Sequence, residues 1–489
     1  MLGIALDIAR AGLGVSSDRS AVLSRNVANA GNGLTSRKYA NTTGLSGGGA
    51  TVSSITRASN DSLTRSLQNA MSSAAGQKVV LAALDSLHQT VGDPSQEASP
   101  AALLGKLGDA LQAFSGNPSD ASLSTAAINA AKDLATSLND ASATISGVRT
   151  QADSDMAQSV NNVNTLLARF GDLNREIVSG THDGRDVTDQ LDARDDVLRS
   201  LSEEIGIKTV ARSGNDVAIY TDSGLTLFDR EARQVSMQPS VLTPGTAGNA
   251  VYVDGVPVTG SGALMRVENG RIAGLAQVRD DISVTYQRQM DEIARGLIDT
   301  FSESDQSATP SLPKISGLFT WPGGPAVPSA SSVANGLSGV ISVNASVDPA
   351  AGGNWRLLRD GSIGDPGNAA YTYNASGAAG FSTRILQLAD GLKAAQTFDA
   401  SSGLKSPSGL GDAAASSTSW IEDVRQRASS QSDYRTTLAD RARDALSRET
   451  GVNLDEEMTA LLDVERSYQT TSKLISVVDG MFKTLLESL

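Results

Sequence analysis

Cysteine is missing from all 489 residues, which removes disulfides, thiolate nucleophiles and thiolate metal sites together. A chain of this length has room for roughly three domains of about 150 residues, so its cores need no covalent staples, and the missing cysteine leaves the compartment open. Aromatic residues make up only 4%. Alanine, serine, leucine and valine fill the periodic segments instead, so helices can approach closely with few bulky anchors. Basic residues are outnumbered, 40 Lys and Arg against 54 Asp and Glu, for a net charge of −14 and a pI near 4.7. That balance argues against nucleic acid as a partner, since phosphate binding needs a basic surface to release counterions, and it disfavours an anionic membrane surface. No run approaches the roughly 18 apolar residues of a membrane span. The first ten residues carry Asp7 inside their apolar stretch and no basic residue before it, so they do not read as a cleavable secretory signal. If the chain leaves the cytoplasm, it is expected to do so unprocessed.

Residues that carry chemistry are scarce too. Histidine occurs twice, as His88 and His182, and neither stands in a metal-ligand spacing; His88 is expected at the edge of a helix interface and His182 in a turn. Gly44-Leu45-Ser46-Gly47-Gly48 fits the G-x-S-x-G pattern of a nucleophile elbow. No apolar strand precedes it and no helix follows, so a flexible loop is the better reading. The acids Asp183, Asp186, Asp189, Asp192, Asp195 and Asp196 depart from the EF-hand spacing and have Arg185, Arg194 and Arg199 among them. They read as a solvated helix face with capping. No catalytic residue, metal site or cofactor is expected, and enzyme is the weakest class for this chain.

What the sequence does have is helical periodicity, strongest at its two ends. Leu454, Leu461, Tyr468, Ile475, Phe482 and Leu489 recur every seven residues, with Val464, Thr471, Val478 and Leu485 three positions later. This is a coiled-coil seam. Leu6, Ala9, Leu13, Ser16, Ser20, Leu23 and Val27 form a second seam near 3.5-residue spacing. The C-terminal helix has a defined start, with Asn453 at the N-cap, Glu456 three residues on as in a capping box, and acids at 455–457 facing the helix dipole. Leu462, Leu474, Met481 and Leu486 widen its apolar surface beyond what one partner helix covers, which favours assembly over a purely internal coiled coil.

Between the ends the pattern reads as follows. A first helix over 2–30 ends in Asn29-Ala30-Gly31-Asn32-Gly33, and a Gly/Ser/Thr-rich extended segment follows. Helical spacing resumes near residue 57, and Ser99-Pro100 starts a short helix. The longest helix covers about 119–178 and would span roughly 90 Å. Strands begin near Ile207, with one hairpin around 222–224 and another around 254–255. A helix covers 272–301. Five of the 14 prolines crowd residues 306–330 and open a β-rich insert to about 381. Helices over 382–398 and 416–448 complete the chain. The expected fold is mainly α with β insertions, elongated and multidomain. Terminal coiled-coil helices occupy 1–35 and 453–489, a long-helix bundle covers 36–305 and 382–452 with a β-hairpin section at about 207–265, and a β-rich outer domain covers 306–381.

Several of these stretches resemble bacterial flagellar axial proteins, and among them the family of the first hook-associated protein, at the junction between hook and filament. Ser24-Arg25-Asn26-Val27-Ala28-Asn29-Ala30 resembles the N-terminal axial signature. The chain departs from it afterwards, where Asn32-Gly33-Leu34 stands in place of the usual Thr-Pro-Gly-Tyr. Val163-Asn164-Thr165-Leu166-Leu167, Asp172 through Ile177 and Leu191-Asp192-Ala193-Arg194-Asp195 are similar to motifs of that family. Gly451 through Met458, Glu465 through Gln469 and Val478 through Phe482 are similar to the axial C-terminal signature.

The resemblance implies a structural role in the bacterial flagellum outside the cell, with export through the flagellar type III pathway. It implies self-association in a ring or helical array, contact with hook protein and with the second junction protein, and a cytoplasmic export chaperone on the C-terminal helix. No nucleic-acid or membrane partner follows. The residues expected to carry assembly and chaperone binding are Leu6, Leu13, Leu23, Val27, Leu454, Met458, Leu461, Tyr468, Ile475, Val478, Phe482, Leu485 and Leu489. Another axial protein (hook protein, distal junction protein or flagellin) or a type III secreted coiled-coil effector is the alternative.

Overall fold

The computed structural model describes residues 2–46, 48–90, 99–329 and 334–487. The chain is mainly α with β insertions, and its spine is the long helix. Helix α1 (Leu2–Asn29) is followed by the hairpin β1 (Lys38–Gly44) and β2 (Ala50–Arg57), then by α2 (Asp61–Thr90), α3 (Pro100–Gly116), α4 (Ala121–His182) and α5 (Thr188–Glu204). α3 starts as its sequence dictates: Ser99 Oγ accepts from the Ala102 amide at 3.2 Å, and Pro100 takes the first turn, where no amide donor is needed. Asp120 caps α4 in the same way, accepting from the Ser122 amide at 2.8 Å.

α4 runs 62 residues without a break, about 93 Å at 1.5 Å per residue. Its buried line, from Ala127 and Ile128 through Leu138, Ile145, Met156, Val163 and Phe170 to Ile177, follows helical spacing along the whole rod. That continuous stripe lets one helix serve as the wall against which α3, α5, α6 and α7 pack.

Two antiparallel sheets follow α5. One is four-stranded, β3 (Ile207–Ala211), β4 (Val217–Thr221), β5 (Thr226–Asp229) and β6 (Glu231–Ala232), and the other three-stranded, β7 (Val235–Met237), β8 (Val251–Val253) and β9 (Val256–Pro257). β8 and β9 are joined by Asp254-Gly255, both at positive φ, the two-residue turn whose twist suits a hairpin. Helices α6 (Arg271–Gln277) and α7 (Ser283–Thr300) form one rod, joined by a π turn over Val278–Ile282. Arg279 in that turn is fully buried and donates to Asp153 of α4 at 2.5 Å and to Asp280 at 2.8 Å.

Residues 306–381 differ from expectation. Regular strand there is limited to β10 (Phe319–Thr320) and β11 (Ser342–Val343); the rest is loop, 3-10 turns and the one-turn helix α8 (Leu357–Asp360) among the described residues. The physical reason is backbone satisfaction by side chains. Asp291 of α7 accepts from the amides of Gly336 and Ser338, Asn139 of α4 donates to the Ser338 carbonyl at 2.7 Å, and Ser124 of α4 to that of Trp355 at 3.1 Å. Prolines in this stretch withhold the amides a ladder would need. Its apolar residues Leu318, Phe319, Leu337, Ile341 and Leu358 join the same hydrophobic cluster as α4 and α7.

The chain returns through α9 (Thr383–Gly391) and α10 (Leu410–Thr450), which lies along α2, and ends in α11 (Leu454–Glu487), which lies along α1.

Candidate assembly interface

The two ends of the chain come together as an antiparallel pair. Asn26 near the end of α1 meets Glu457 in the first turn of α11, and a Cβ at Gly12 would lie 3.4 Å from the Thr471 methyl. α1 turns one stripe toward α11. Ala9, Ser16, Val22 and Asn26 are buried and Leu6, Leu13, Ser20, Leu23 and Val27 half-buried. The answering stripe of α11 is Glu457, Val464 and Val478, fully buried, with Leu461, Thr471, Ile475 and Phe482 half-buried between them. Their four-and-three spacing is that of a coiled-coil seam. Asn453 caps α11, accepting from the Asp455 amide at 3.0 Å; Glu456 Oε1 accepts from the Asn453 side-chain amide at 3.5 Å rather than from its backbone.

The structure thus divides the expected interface residues in two. Leu6, Leu13, Leu23, Val27, Leu461, Ile475, Val478 and Phe482 lie in the seam between α1 and α11. Leu454, Met458, Tyr468 and Leu485 point elsewhere, each about half exposed; the first turn gives its seam position to Glu457. Leu489 lies outside the described residues. With Leu462, Leu474, Val477, Met481 and Leu486, 47–69% exposed, the outward residues give α11 apolar shoulders on both sides of the seam.

The hairpin β1–β2 covers a further face of α1. At its tip Gly48 and Gly49 have φ of +86° and +90°, and a Cβ on Gly48 would come within 2.8 Å of Ile8. These glycines therefore serve a close approach in a left-handed turn. Ser46 sits in that exposed tip between β1 and β2, so a strand and not a helix follows it and the motif lacks the strand-to-helix setting of an elbow; Gly47 lies outside the described residues. His88 Nδ1 meets the Glu422 carboxylate across α2 and α10, and His182 is the last residue of α4. Among the described residues no group of three or more His, Cys, Asp or Glu could hold a metal, and no helix is long and apolar enough to cross a membrane.

A charged network fastens this terminal arm to the body, and four of the six acids read from sequence as a solvated face, Asp186, Asp189, Asp192 and Asp195, are its core, while Asp183 and Asp196 pair only locally with Arg185 and Arg199. Arg25 donates to Asp186 at 2.9 Å and to Asp189 at 2.8 Å. Lys38, buried, pairs with Asp189 and lies 3.8 Å from Asp192. Ser36 Oγ donates to Asp192 at 2.6 Å, and Arg57 bridges Asp192 at 2.8 Å and Asp195 at 2.6 Å. Burial opposes charge on Arg57, yet Asp195 and Asp192 hold its pKa above the usual guanidinium value. Burial likewise opposes ionisation of Asp189, and Lys38 and Arg25 outweigh it, so its pKa falls below the ordinary carboxylate range. Asp186 is lowered too, with Thr188 and Arg25 outweighing burial. The signal for this network was present in the three-residue spacing of Asp186, Asp189, Asp192 and Asp195. Its basic partners, roughly 130 to 165 positions earlier, were not visible from that spacing.

Residues 84–309 match the model described as the flagellar hook-associated protein FlgK helical domain, and residues 447–488 match the C-terminal domain of the flagellar basal body rod FlgEFG proteins. Just under half of the chain thus carries a helical domain of the FlgK type, and its last helix carries the C-terminal domain shared with the rod proteins. The first match spans α3 through α7 and takes in the motifs at 163–195; the second is α11 with its capped start. The N-terminal stretch at 24–30 lies outside both ranges. Among solved structures the chain is similar to the flagellar hook junction protein FlgK from Burkholderia pseudomallei, at 20% identity and a TM-score of 0.43, over 53% of this chain and 46% of that one. The chain thus spans less than half the length of that relative in the match. No curated protein matches it. FlgK-family proteins are structural parts of the flagellum, an extracellular appendage.

Proposed function

We propose that this protein is an adaptor at the hook–filament junction, and that it assembles through the arm formed by α1 and α11. One observation carries the reading: α11 spends a single stripe on α1 and leaves Met458, Leu462, Leu474, Val477 and Met481 about half exposed. Apolar area of that extent on one helix is stabilised by contact with further chains. The partners that fit are other copies in a ring or helical array, hook protein on one side and the second junction protein on the other. Before export a cytoplasmic chaperone covers the C-terminal helix, and export proceeds through the type III pathway without cleavage. The role is structural, with no catalysis. In this layout 1–35 and 453–489 line the inner tube, 36–305 and 382–452 form the next shell, and 306–381 faces outward.

Deleting residues 454–489 tests the proposal directly. The shortened chain is expected to keep the cooperative unfolding of its body, followed by circular dichroism, and to be absent from isolated hook–filament structures. Incorporation of the shortened chain at the junction would overturn the reading.

A further inference from the structure

The seam between α1 and α11 is poorly suited to fix its own register. Through its middle α1 offers Gly12, Ser16 and Ser20, which have little shape to distinguish one facing residue from another. On α11 the facing residues are spaced in multiples of seven, Leu461, Ile475 and Phe482 in one row and Val464, Thr471 and Val478 in the other. A slip of one heptad, about 10.5 Å along the axis, sets apolar residues against apolar residues again.

One place in the seam does not repeat. Asn26 and Glu457 are 2% and 0% exposed and occupy seam positions on the two helices. The Asn26 amide nitrogen donates to Glu457 Oε2 at 2.9 Å and to the Lys38 carbonyl at 2.9 Å, and its oxygen accepts from the Lys38 amide at 3.0 Å. Asn26 thereby pairs with Lys38 much as a neighbouring strand would. Arg37 forms ion pairs with Glu457 at 2.6 Å and Glu456 at 2.5 Å, while its backbone amide donates to the Thr450 carbonyl at 2.8 Å at the end of α10. One buried node therefore joins α1, the first strand of the hairpin, the end of α10 and the start of α11.

We infer that the Asn26–Glu457–Arg37 node sets the register and antiparallel orientation of the terminal arm. In a slipped arm Asn26 would face Val464, its amide would lack an acceptor in the seam, and the buried Glu457 would lose its donors. Unpaired buried polar groups are costly, and a polar residue at one seam position is the established means of choosing among coiled-coil registers. The inference concerns the arm within a single chain and does not depend on the junction role.

Cysteine pairs in the full chain test it, with no native cysteine to compete. Gly12→Cys with Thr471→Cys is expected to form a disulfide under mild oxidation, given the short Cβ approach there. Gly12→Cys with Val464→Cys or with Val478→Cys reports a slip of one heptad either way. Adding Asn26→Leu and Glu457→Leu should cut the 12–471 product at least fivefold and bring up one of the off-register products. Glu457→Gln, which keeps an oxygen facing Asn26, should retain the native product. Unchanged 12–471 cross-linking in the double leucine variant would overturn the inference, as would off-register products of equal yield in the unaltered background. Loss of all three products would overturn it as well, since the node would then attach the helices without choosing between registers.

Discussion

The body and the terminal arm are built from the same residue types at similar helical spacing, yet they bury them differently. In the body, α4 faces neighbours along its whole length, and aromatic pairs such as Phe170 with Phe228, edge to face at 4.9 Å, close the space between helix and sheet. In the arm, the fully buried seam positions include Ser16, Asn26 and Glu457, while leucines and methionines of α11 face outward. The body is a finished hydrophobic core. The arm is a seam locked by polar groups with its apolar surface turned out, the surface that the proposed assembly would bury. Hydrophobic periodicity thus reports where apolar residues gather on a helix, and the burial within one chain shows whether they are already used.

The largest expected effect lies in the body. Phe170→Ala should cost about 3–5 kcal/mol, the usual range for removing a fully buried aromatic side chain, read as a fall in the denaturant midpoint. A loss under about 1 kcal/mol would mean that the body is less completely packed than α4 indicates, and the contrast would fail. Next comes the joint between the regions. Asp192→Ala removes a buried carboxylate from Arg57, Lys38 and Ser36 and should cost about 3 kcal/mol, the lower end for breaking a buried pair. Hydrogen exchange is expected to quicken over residues 36–57 and leave α4 unchanged. Equal quickening throughout α4 would show that arm and body unfold as one unit.

Much of this contrast was legible in the sequence, and the exceptions have a common cause. Ser99-Pro100 announced α3 and Asp254-Gly255 a hairpin turn, because capping and turn chemistry are local. The stretch 306–381 was misread as β-rich because its backbone groups are satisfied by Asp291, Asn139 and Ser124, which belong to distant helices. Asp186 to Asp195 read as a solvated face for the same reason, their partners being Arg25, Lys38 and Arg57. Of the terminal seam, the spacing placed Leu461, Ile475 and Phe482 correctly but gave Leu454 and Tyr468 the same role. Nothing in a heptad pattern marks Glu457 as the residue that takes the buried position.

Acid should loosen the joint. Asp186 and Asp189 have pKa values below the ordinary carboxylate value in the folded chain. The stability they contribute is therefore fully present above that ordinary value, near 4, and is lost as pH falls through their lowered folded values. Between pH 6 and 5 exchange at residues 25–57 should be flat, and below about pH 4 it should rise. A rise already complete by pH 5 would assign the joint to some other group. Both carboxylates are partly solvent-exposed, so raising salt should weaken the contact in the same direction at neutral pH.

The smallest effect on stability belongs to the outward face of α11, where the effect on assembly should be greatest. Met458 and Leu474 are 51% and 47% exposed and lie on the shoulders of the seam. Replacing both with serine leaves the buried stripe of Val464 and Val478 and the Asn26–Glu457 contact in place. The unfolding midpoint should therefore stay within about 0.5 kcal/mol of the parent, as for surface substitutions generally. Incorporation into hook–filament structures, scored by immunogold labelling in a strain lacking the parental gene, should fall at least tenfold. A drop of more than about 1 kcal/mol in the isolated chain would mean that these side chains already stabilise the monomer. Full incorporation at unchanged stability would mean that the assembly surface lies elsewhere on the arm, and the exposed shoulders of α11 would need another occupant.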